Sequence, residues 1–391
     1  MLKKAYSMFE ELIHWRRDFH SHPELGFSEN RTAEIVAREL EALGYKVRRG
    51  VGRTGVVADL GSENGPTIAI RADMDALPLF ESNDRDYASL QPGIMHACGH
   101  DSHTAMALGA AAILSKENFP GRVRFLFQPS EEMGDEEGIS GAPRMIEAGA
   151  LENVDIVIAQ HVDPHLPVGT IGISAGPASG GVDNWYAKII GIGGHGAHPD
   201  QTVDPFVILG HVIIALNSIV SRRMNPFQPI VVSIGMINGG NTQNVIPEKI
   251  EISGTLRYTD PAILEKIHTE IRRAFEISRN LGGDFELSFE YGGGPNINHE
   301  IATHLLKTAG ASILGEINIH PGTPTLGAED FGAFTEIVPG AMFTLGTLIT
   351  GDERYLHHPR FDIDERALPI GTAMLVEATL QFLKNHPGNI L

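Results

Sequence analysis

Cysteine is almost absent from this sequence: its 391 residues include one, Cys98. A single cysteine cannot close an internal disulfide, which excludes the disulfide-stapled scaffolds of small secreted proteins. Aromatic residues are also scarce, at 7%, but hydrophobic residues reach 42% and charged residues 20%, a composition typical of globular chains and not of disordered ones. At roughly 150 residues per domain, the length predicts about two and a half domains.

Basic residues are much fewer than acidic ones. The sequence has 30 lysines and arginines against 49 acidic residues, a net charge of −19 when histidine is neutral. Such a surface repels phosphate backbones and anionic lipids, so we expect neither a nucleic acid nor a membrane partner. No apolar run approaches the ~20 residues of a membrane helix, and the charged residues 1–20 lack the apolar segment of a signal peptide. The expected location is cytoplasmic.

Helical and strand patterns alternate through the first and last parts of the chain. Unbroken apolar strands that alternate with helices are typical of a mostly parallel sheet with helices on both faces. We therefore predict an α/β fold built on a mixed, mostly parallel sheet. The predicted strands are 55–60, 67–71, 123–127, 155–159 and 341–345, and the predicted helices are 5–19, 31–43, 102–116, 142–147, 300–314 and 366–384.

The middle of the chain has a different order of elements. Strands are predicted at 185–191, 230–236, 249–258 and 285–291, with helices at 205–221 and 261–281. This β-α-β-β-α-β order is the split βαβ pattern of a compact ferredoxin-like α+β domain. Glycine-rich segments at 179–181 and 292–294 bracket it. We predict a discontinuous α/β domain, 1–182 and 292–391, with a smaller domain, 183–291, inserted into it.

Candidate metal ligands gather at five places, each just after a predicted strand or at the start of a helix. In open α/β sheets, ligands bind outside the carboxyl ends of the strands, so these places are expected to converge on one edge. A donor set of one thiolate, imidazoles and carboxylates suits zinc or a similar transition ion better than calcium or magnesium. The five groups are Asp73 with Asp75, the segment 95–103, Glu131 with Glu132, His161 with Asp163, and His357 with His358.

Each of these residues alone has an ordinary explanation. The Cys98-x-His100 spacing points both donors to one side of an extended loop, but a buried structural cysteine and a hydrogen-bonded loop histidine give the same pattern. Five groups at strand ends together favour a metal site.

The adjacent pair Glu131 and Glu132 is the sharpest single feature. Neighbouring loop residues face different ways, so one carboxylate can bind a metal ion while the other acts as a base toward water attacking a carbonyl. The alternative is a solvated acidic loop over 131–137. The apolar strand 125–127 favours the site, because it places the pair at the edge of the sheet.

Six segments match one family, in the order of that family. The sequence resembles the M20-type metallopeptidases, and specifically the branch of aminoacylases, hippurate hydrolases and indole-acetyl-amino-acid hydrolases. The resemblance implies a two-metal catalytic domain with the inserted domain where the family has it. The segments are RADMDALP (71–78), MHACGHD (95–101), QPSEE (128–132), GGHGAHP (193–199), NVIP (244–247) and LHHP (356–359).

The resemblance also implies roles for residues of the larger domain. Glu131 becomes the general base and later the proton donor to the leaving amine, and Asp75 orients a ligand or the base. Asp73 stands where more distant relatives carry a histidine ligand, which leaves its role open. The last ligand is either His357 or His358, and His357 is preferred because the family's ligand directly follows a leucine. The implied metal ligands are Cys98, His100, Glu132, His161 and His357.

Three residues of the inserted domain resemble substrate-binding groups. His195 matches a histidine that reaches an active site, often that of a neighbouring subunit, and polarises the scissile carbonyl; the alternative is a turn residue in a glycine-rich segment. Asn244 and Arg257 match groups that hold the substrate's carboxylate or carbonyl. The inserted domain is expected to act as a lid and as the contact of a homodimer or higher homo-oligomer.

The activity implied is metal-dependent hydrolysis of N-acyl-L-amino acids, with acetyl, benzoyl or similar acyl groups, to a carboxylate and a free amino acid. A carboxypeptidase or dipeptidase of the same fold, acting on short peptides, is the first alternative. A catalytically inactive binding protein is the second. The cofactors implied are two divalent ions per subunit, zinc or manganese, with cobalt or nickel as further options.

Overall fold

The computed structural model describes residues 1–352 and 354–385. The strands are β1 Lys46–Val51, β2 Gly55–Gly61, β3 Thr67–Asp73, β4 Arg122–Gln128, β5 Ile156–Pro167, β6 Ile171–Gly172, β7 Gly176–Pro177, β8 Gly181–Ile190, β9 Gly194–His195, β10 Ile230–Gly239, β11 Val245–Ile246, β12 Lys249–Tyr258, β13 Asp284–Gly293, β14 Ile297–Asn298, β15 Ile319–His320 and β16 Gly340–Leu348. The α-helices are α1 Leu2–Tyr6, α2 Phe9–Ser21, α3 Asn30–Ala42, α4 His100–Leu114, α5 Gly141–Glu147, α6 Pro205–Arg223, α7 Leu264–Phe275, α8 Ile277–Asn280, α9 Glu300–Leu314, α10 Phe331–Thr335 and α11 Leu368–Asn385.

The chain divides into two compact units. Unit 1 consists of Met1–Ala178, Ile297–Thr323 and Asp330–Leu391, and unit 2 of Ser179–Asn296 and Pro324–Glu329. The sequence predicts the smaller domain at 183–291, with 324–329 in the larger one. That short segment has no helix or strand and no change of composition, so nothing in its sequence links it to unit 2.

Unit 1 is built on a mixed sheet, eight-stranded within the described residues, in the order β1-β2-β4-β3-β5-β16-β6-β15. The central strands β4, β3, β5 and β16 run parallel, while β1 and β2 pair antiparallel at one edge. This confirms the predicted α/β class. Strand β1 is missing from the prediction because its sequence, KVRRGV, has no apolar alternation.

Helices cover both faces of this sheet, and the side chains of β3 show why. Ile68 and Ile70 belong to a core formed with α2, α4 and α11, whereas Ala69 between them belongs to a second core formed with α5 and α10. Successive strand residues point to opposite faces, so a strand covered on both sides is mainly apolar. Strands β3 and β4 are buried from end to end.

Helix α4 begins at His100, and its start is set by a glycine. Gly99 has φ +89°, a left-handed conformation in which L side chains are strained. A Cβ at this position would also lie 2.5 Å from the side chain of Val162 on β5. The close approach brings the residues on both sides of Gly99, Cys98 and His100, against the sheet. The helix itself is rich in alanine and is buried along its whole length.

Unit 2 contains a four-stranded antiparallel sheet, counted over the residues that the structure describes, in the order β10-β12-β8-β13. Helices α6 and α7 pack against each other and against this sheet. The core between them includes Trp185, Ile267 and Phe275. The strand order and the two helices correspond to the β-α-β-β-α-β pattern that the sequence predicts.

Helix α6 differs from the expectation that no segment approaches the length of a membrane span. Among the helices in the described part of the chain, it is long and apolar enough, by length and composition, to cross a membrane. Its buried residues, among them Ile208, Val212 and Leu216, pack into the core of unit 2, while Phe206 and Ile214 are exposed. The expectation was wrong because isoleucine, valine and leucine occupy both faces of this helix.

Candidate metal centre

The register of the central strands brings the predicted ligands of unit 1 to one edge. Asp73, the last residue of β3, lies beside Gln128, the last residue of β4. Arg71 lies beside Ala159 on β5, so His161, two residues further on, is level with Asp73. The structure brings six of the predicted site residues together at this edge: Cys98, His100, Glu131, Glu132, His161 and His357.

The donor atoms form overlapping groups, within each of which all the atoms lie within 4.8 Å of one another. Cys98 belongs to two of them, one with His100 and His161 and one with Glu132 and His357. In the first, the Cys98 sulfur lies 3.4 Å from His161 Nε2, and in the second, His357 Nε2 lies 3.0 Å from Glu132 Oε1. Two adjacent groups that share a thiolate fit two neighbouring ions.

The hydrogen bonds of two histidines leave the correct nitrogen for a metal ion. His100 donates from Nδ1 to the backbone oxygen of Asp75 at 3.0 Å and to its carboxylate at 3.1 Å. His161 donates from Nδ1 to the backbone oxygen of Val162 at 2.8 Å. In their neutral form both rings then carry a lone pair on Nε2, and the buried Nε2 of His100 has no hydrogen-bond partner among the described residues. Metal-binding histidines are held in this way, so both residues fit the role.

The buried charges of the cluster also fit a cation. Burial raises the pKa of the Cys98 thiol well above its ordinary value, although His100 beside it lowers it. Burial lowers the pKa of His100, but Asp73 and Cys98 raise it more, so that the net shift is upward. Burial raises the pKa of Glu132, and the hydrogen bond with His357 and the nearby His100 lower it below the ordinary value. A thiolate in such a place requires positive charge beside it.

Asp75 links two of the candidate ligands. One of its carboxylate oxygens accepts the hydrogen bond from His100, and the other accepts one from the backbone N–H of Glu132 at 3.0 Å. The Asp75 side chain is 0% exposed. Asp75 therefore contacts an imidazole and the backbone of a candidate carboxylate ligand at once, which fits the orienting role that the resemblance implies.

Asp73, whose role the sequence leaves open, is occupied by internal contacts. Its carboxylate accepts hydrogen bonds from Arg71 at 2.5 Å and from His103 Nδ1 at 2.6 Å. His103 in turn accepts one at Nε2 from the backbone N–H of Val162, the residue after His161. Burial lowers the pKa of His103 to about 4, so this histidine is neutral. These contacts connect Arg71 on β3, His103 on α4 and Val162 on β5, and Asp73 also lies with His100 and His103 in one of the groups of donor atoms.

The structure distinguishes between the two adjacent histidines near the C-terminus. His357 has a left-handed backbone, φ +59°, and points to Glu132. His358 instead accepts a hydrogen bond at Nδ1 from the backbone N–H of Arg360 and is not among the grouped donors. This supports the preference for His357.

The predicted substrate-binding residues lie in unit 2. His195 on β9 pairs with Val245 on β11, and the backbone oxygen of Asn244 accepts a hydrogen bond from Gly196, so His195 and Asn244 share one ribbon. Arg257 lies elsewhere, on β12, where it donates to the Thr255 hydroxyl at 2.6 Å. Burial lowers its pKa.

Sequence reasoning missed a layer of buried charge behind the metal centre. Arg16 contacts the carboxylates of Asp101, Asp362 and Glu365, and His20 contacts Asp101 at 2.8 Å. Asp101 follows His100 directly. A signal exists in the sequence, since Arg16 and His20 are spaced i, i+4 on the inner face of a helix between apolar residues, but it does not reveal their partners.

Comparisons with known proteins identify the family. The profile of peptidase family M20/M25/M40 matches residues 69–381. N-acetyl-L-cysteine deacetylase of Bacillus subtilis is 38% identical over 384 residues, covering 96% of this chain and 89% of that protein. Thermostable carboxypeptidase 1 of Saccharolobus solfataricus is 38% identical over 385 residues, covering 95% and 96%. A solved Bacillus subtilis structure, described as a dinuclear metal binding peptidase from the M20 family, has a TM-score of 0.85 and 34% identity, covering 97% of this chain and 99% of that one.

The profile match spans all of the candidate metal ligands, and the similar proteins extend over nearly the whole chain. The chain therefore belongs to peptidase family M20/M25/M40, in its amidohydrolase branch, and is a hydrolase that acts on amide bonds.

Proposed function

We propose that this chain is a two-metal amidohydrolase that releases a free amino acid from an N-acyl-L-amino acid. The observation that carries the proposal is the position of Glu131, whose carboxylate lies with donor atoms of His100 and Glu132 inside one 4.8 Å group. A carboxylate at that distance from metal ligands is placed to move protons at a substrate that the metal site holds. The name of the Bacillus subtilis relative, N-acetyl-L-cysteine deacetylase, supports the substrate class.

Each of the predicted site residues of unit 1 has its own role in this proposal. The metal ligands are Cys98, His100, Glu132, His161 and His357, and two divalent ions held by them would polarise the scissile carbonyl and acidify water. Glu131 accepts the proton of the attacking water and donates it to the leaving amine. Asp75 holds His100 and the backbone of Glu132 in place. The mixed donor set favours zinc or manganese, with cobalt or nickel as further options.

The remaining predicted residues bind substrate in this proposal. Arg257 neutralises the free carboxylate of the amino acid, and Asn244 and His195 hold the carbonyl groups. A free terminal carboxylate is common to N-acyl amino acids and to peptides cut by a carboxypeptidase, and the Saccharolobus solfataricus relative is named as the latter. Carboxypeptidase or dipeptidase action is therefore the second candidate. Cytoplasmic residence stays a prediction from the sequence.

A substrate panel tests the function. The protein is stripped with a chelator, reloaded separately with zinc, manganese, cobalt or nickel, and assayed on N-acetyl, N-benzoyl and indole-acetyl amino acids beside dipeptides and N-blocked dipeptides. We expect the stripped protein to be inactive and the reloaded protein to prefer N-acyl amino acids. Faster cleavage of the peptides would select the second candidate, and chelator-resistant activity would contradict a metal-dependent mechanism.

Unit 2 supports the proposal of a homodimer. Strand β10 is an edge of its sheet and exposes Met236 and Ile237, and α6 exposes Phe206, Val207 and Ile214, the last of them 70% exposed. Unpaired strand edges and exposed apolar patches are typical of protein interfaces. We propose that a second copy of this chain covers them.

The dimer is tested by light scattering during gel filtration. The wild-type protein is expected to have twice the mass of the 42.3 kDa chain, and I214E is expected to have the mass of one chain, because a carboxylate would be buried in the interface. K266E, on the exposed surface of α7, is the matched control and is expected to remain dimeric. A monomeric wild-type protein, or a dimeric I214E, would count against this interface.

A further inference from the structure

The turn between β4 and the two glutamates has a strained backbone. Ser130 is completely buried, with φ +43°, a conformation that residues other than glycine rarely adopt. It directly precedes Glu131. A left-handed serine persists only where its surroundings hold it, so the groups that contact Ser130 decide where the base points.

Ser130 donates from its hydroxyl to Met133 and accepts from the backbone N–H of Gly141, and a carboxylate from the start of α3 binds its own N–H. Glu29 Oε1 accepts hydrogen bonds from the backbone N–H of Ser130 at 2.8 Å and from that of Phe27 at 3.0 Å. Its other oxygen accepts one from the hydroxyl of Thr54. Glu29 is 0% exposed. Both of its oxygens are thus committed, and one of them holds the residue next to the base.

A glycine on the same segment fits against Ser130. A Cβ at Gly26 would lie 2.2 Å from Ser130 Oγ, 2.9 Å from its Cβ and 3.2 Å from its Cα. Its backbone is not left-handed, so space, and not conformation, requires glycine at this position. The segment from Gly26 to Glu29 therefore closes on the turn from one side.

We propose that Glu29 is a positioning residue, which fixes the Ser130 turn and thereby the carboxylate of Glu131 relative to the metal ligands. The inference rests on the proposed function for the role of Glu131. The contacts themselves lie within unit 1 and do not depend on it.

A purely local role for Glu29, as a cap of α3, is already filled by another residue. Glu24 accepts hydrogen bonds from the backbone N–H groups of Arg31 and Thr32 at 2.9 and 2.8 Å, which are the donors at the start of that helix. The side chain of Glu29 instead contacts residues before and outside α3. Glu24 is therefore a matched control: a carboxylate of the same segment that accepts backbone hydrogen bonds but does not contact the turn.

The experiment compares E29A, E29Q, G26A and E24A in the metal-loaded protein. The alanine variant removes the acceptor of the Ser130 N–H, whereas the amide of E29Q keeps an acceptor oxygen. Burial raises the pKa of Glu29 to about 7, so a neutral side chain of the same shape suits the site. G26A crowds Ser130 and so disturbs the same contact while leaving Glu29 unchanged. If E29A does not fold, G26A still tests whether displacing the Ser130 turn lowers activity.

Activity is the first measurement. We expect E29A and G26A to lower kcat by about 100-fold with little change in KM, because displacing a catalytic group by about 1 Å has an effect of that size. E29Q is expected to recover most of the wild-type kcat, and E24A to leave kcat unchanged. Equal losses in E29Q and E29A, or an equal loss in E24A, would overturn the proposal.

Hydrogen exchange is the second measurement and needs no substrate. The Ser130 amide is expected to lose protection in E29A and to keep it in E29Q, while E24A loses protection at Arg31 and Thr32 instead. Wild-type protection of Ser130 in E29A would overturn the positioning role. A wild-type protein that hydrolyses nothing in the panel would overturn the proposed function, while the exchange data would still decide the role of Glu29.

Discussion

Replacing Glu131 with glutamine is expected to lower kcat by about 10²–10⁴-fold, the range that a general base contributes. Glutamine keeps the shape of the side chain but cannot accept the proton of the attacking water. Metal content is expected to remain at the wild-type level, because the five proposed ligands are unchanged. Steady-state kinetics on the best substrate of the panel, with elemental analysis of the same preparations, measures both quantities.

The matched control is E136Q, which makes the same change in the same acidic loop. Glu136 is exposed and pairs with Arg53 on the surface, so its replacement is expected to leave kcat unchanged. If E131Q kept more than about a tenth of the wild-type kcat, the general base would be a different group. Loss of metal together with activity would instead place Glu131 among the ligands.

The metal centre depends on how the sheet edge is built. Strands β3 and β4 run parallel and end side by side, and the residues just beyond them become neighbours although they are far apart in the sequence. Asp75, beyond β3, then joins His100 at the start of α4 to Glu132 beyond β4. Two candidate ligands from different segments are thus held by one carboxylate, which makes their spacing a property of the fold.

The sequence predicted a helix or strand correctly where the apolar residues of the segment clearly indicated one. The buried strands β3 and β4 are short, mainly apolar segments, and α4 is a long segment rich in alanine. Strand β1 was missed because arginines occupy its middle. Strand β5 runs on to Pro167 while the prediction ends at 159, because polar residues replace apolar ones after Ala159 and resemble a loop.

The site residues that lie in short local motifs could be predicted from the sequence. The segments around Cys98, Glu131 and His357 carry their chemistry in neighbouring residues, so a resemblance identifies them. Glu29 could not be identified in this way, because its partner Ser130 is 101 residues away. The local sequence does not distinguish it from other glutamates near the start of a helix. Pairings of this kind depend on packing, which no single segment encodes.

The contacts of Arg16 also depend on packing between segments that are distant in the sequence. They connect three parts of unit 1. The guanidinium of Arg16 contacts Asp101 at 3.0 Å, Asp362 at 2.7 Å and Glu365 at 3.2 Å, and its side chain is 0% exposed. Burial raises the pKa of Asp101, but Arg16 and His20 lower it far more, so this carboxylate stays ionised beside His100. Removing Arg16 would leave buried carboxylates without their main cation.

We expect R16M to lower the free energy of unfolding of unit 1 by about 3–5 kcal/mol, the effect of removing one partner from a buried ion pair. Methionine fills a similar volume, so the loss reflects charge more than a cavity. Urea titrations followed by the fluorescence of Trp15, with Trp185 replaced by phenylalanine so that it reports on unit 1, measure the change.

R17M is the matched control for this effect. Arg17 is the next residue of α2 and also contacts Glu365, at 2.6 Å, but its side chain is 44% exposed. Exposed ion pairs contribute about 0–1 kcal/mol, so R17M is expected to change the unfolding free energy within that range. Equal, small losses in both variants would mean that water or His20 neutralises Asp101 without Arg16. A large loss in R16M alone would show that the helix start carrying His100 is held in place by a cation from the N-terminal part of the chain.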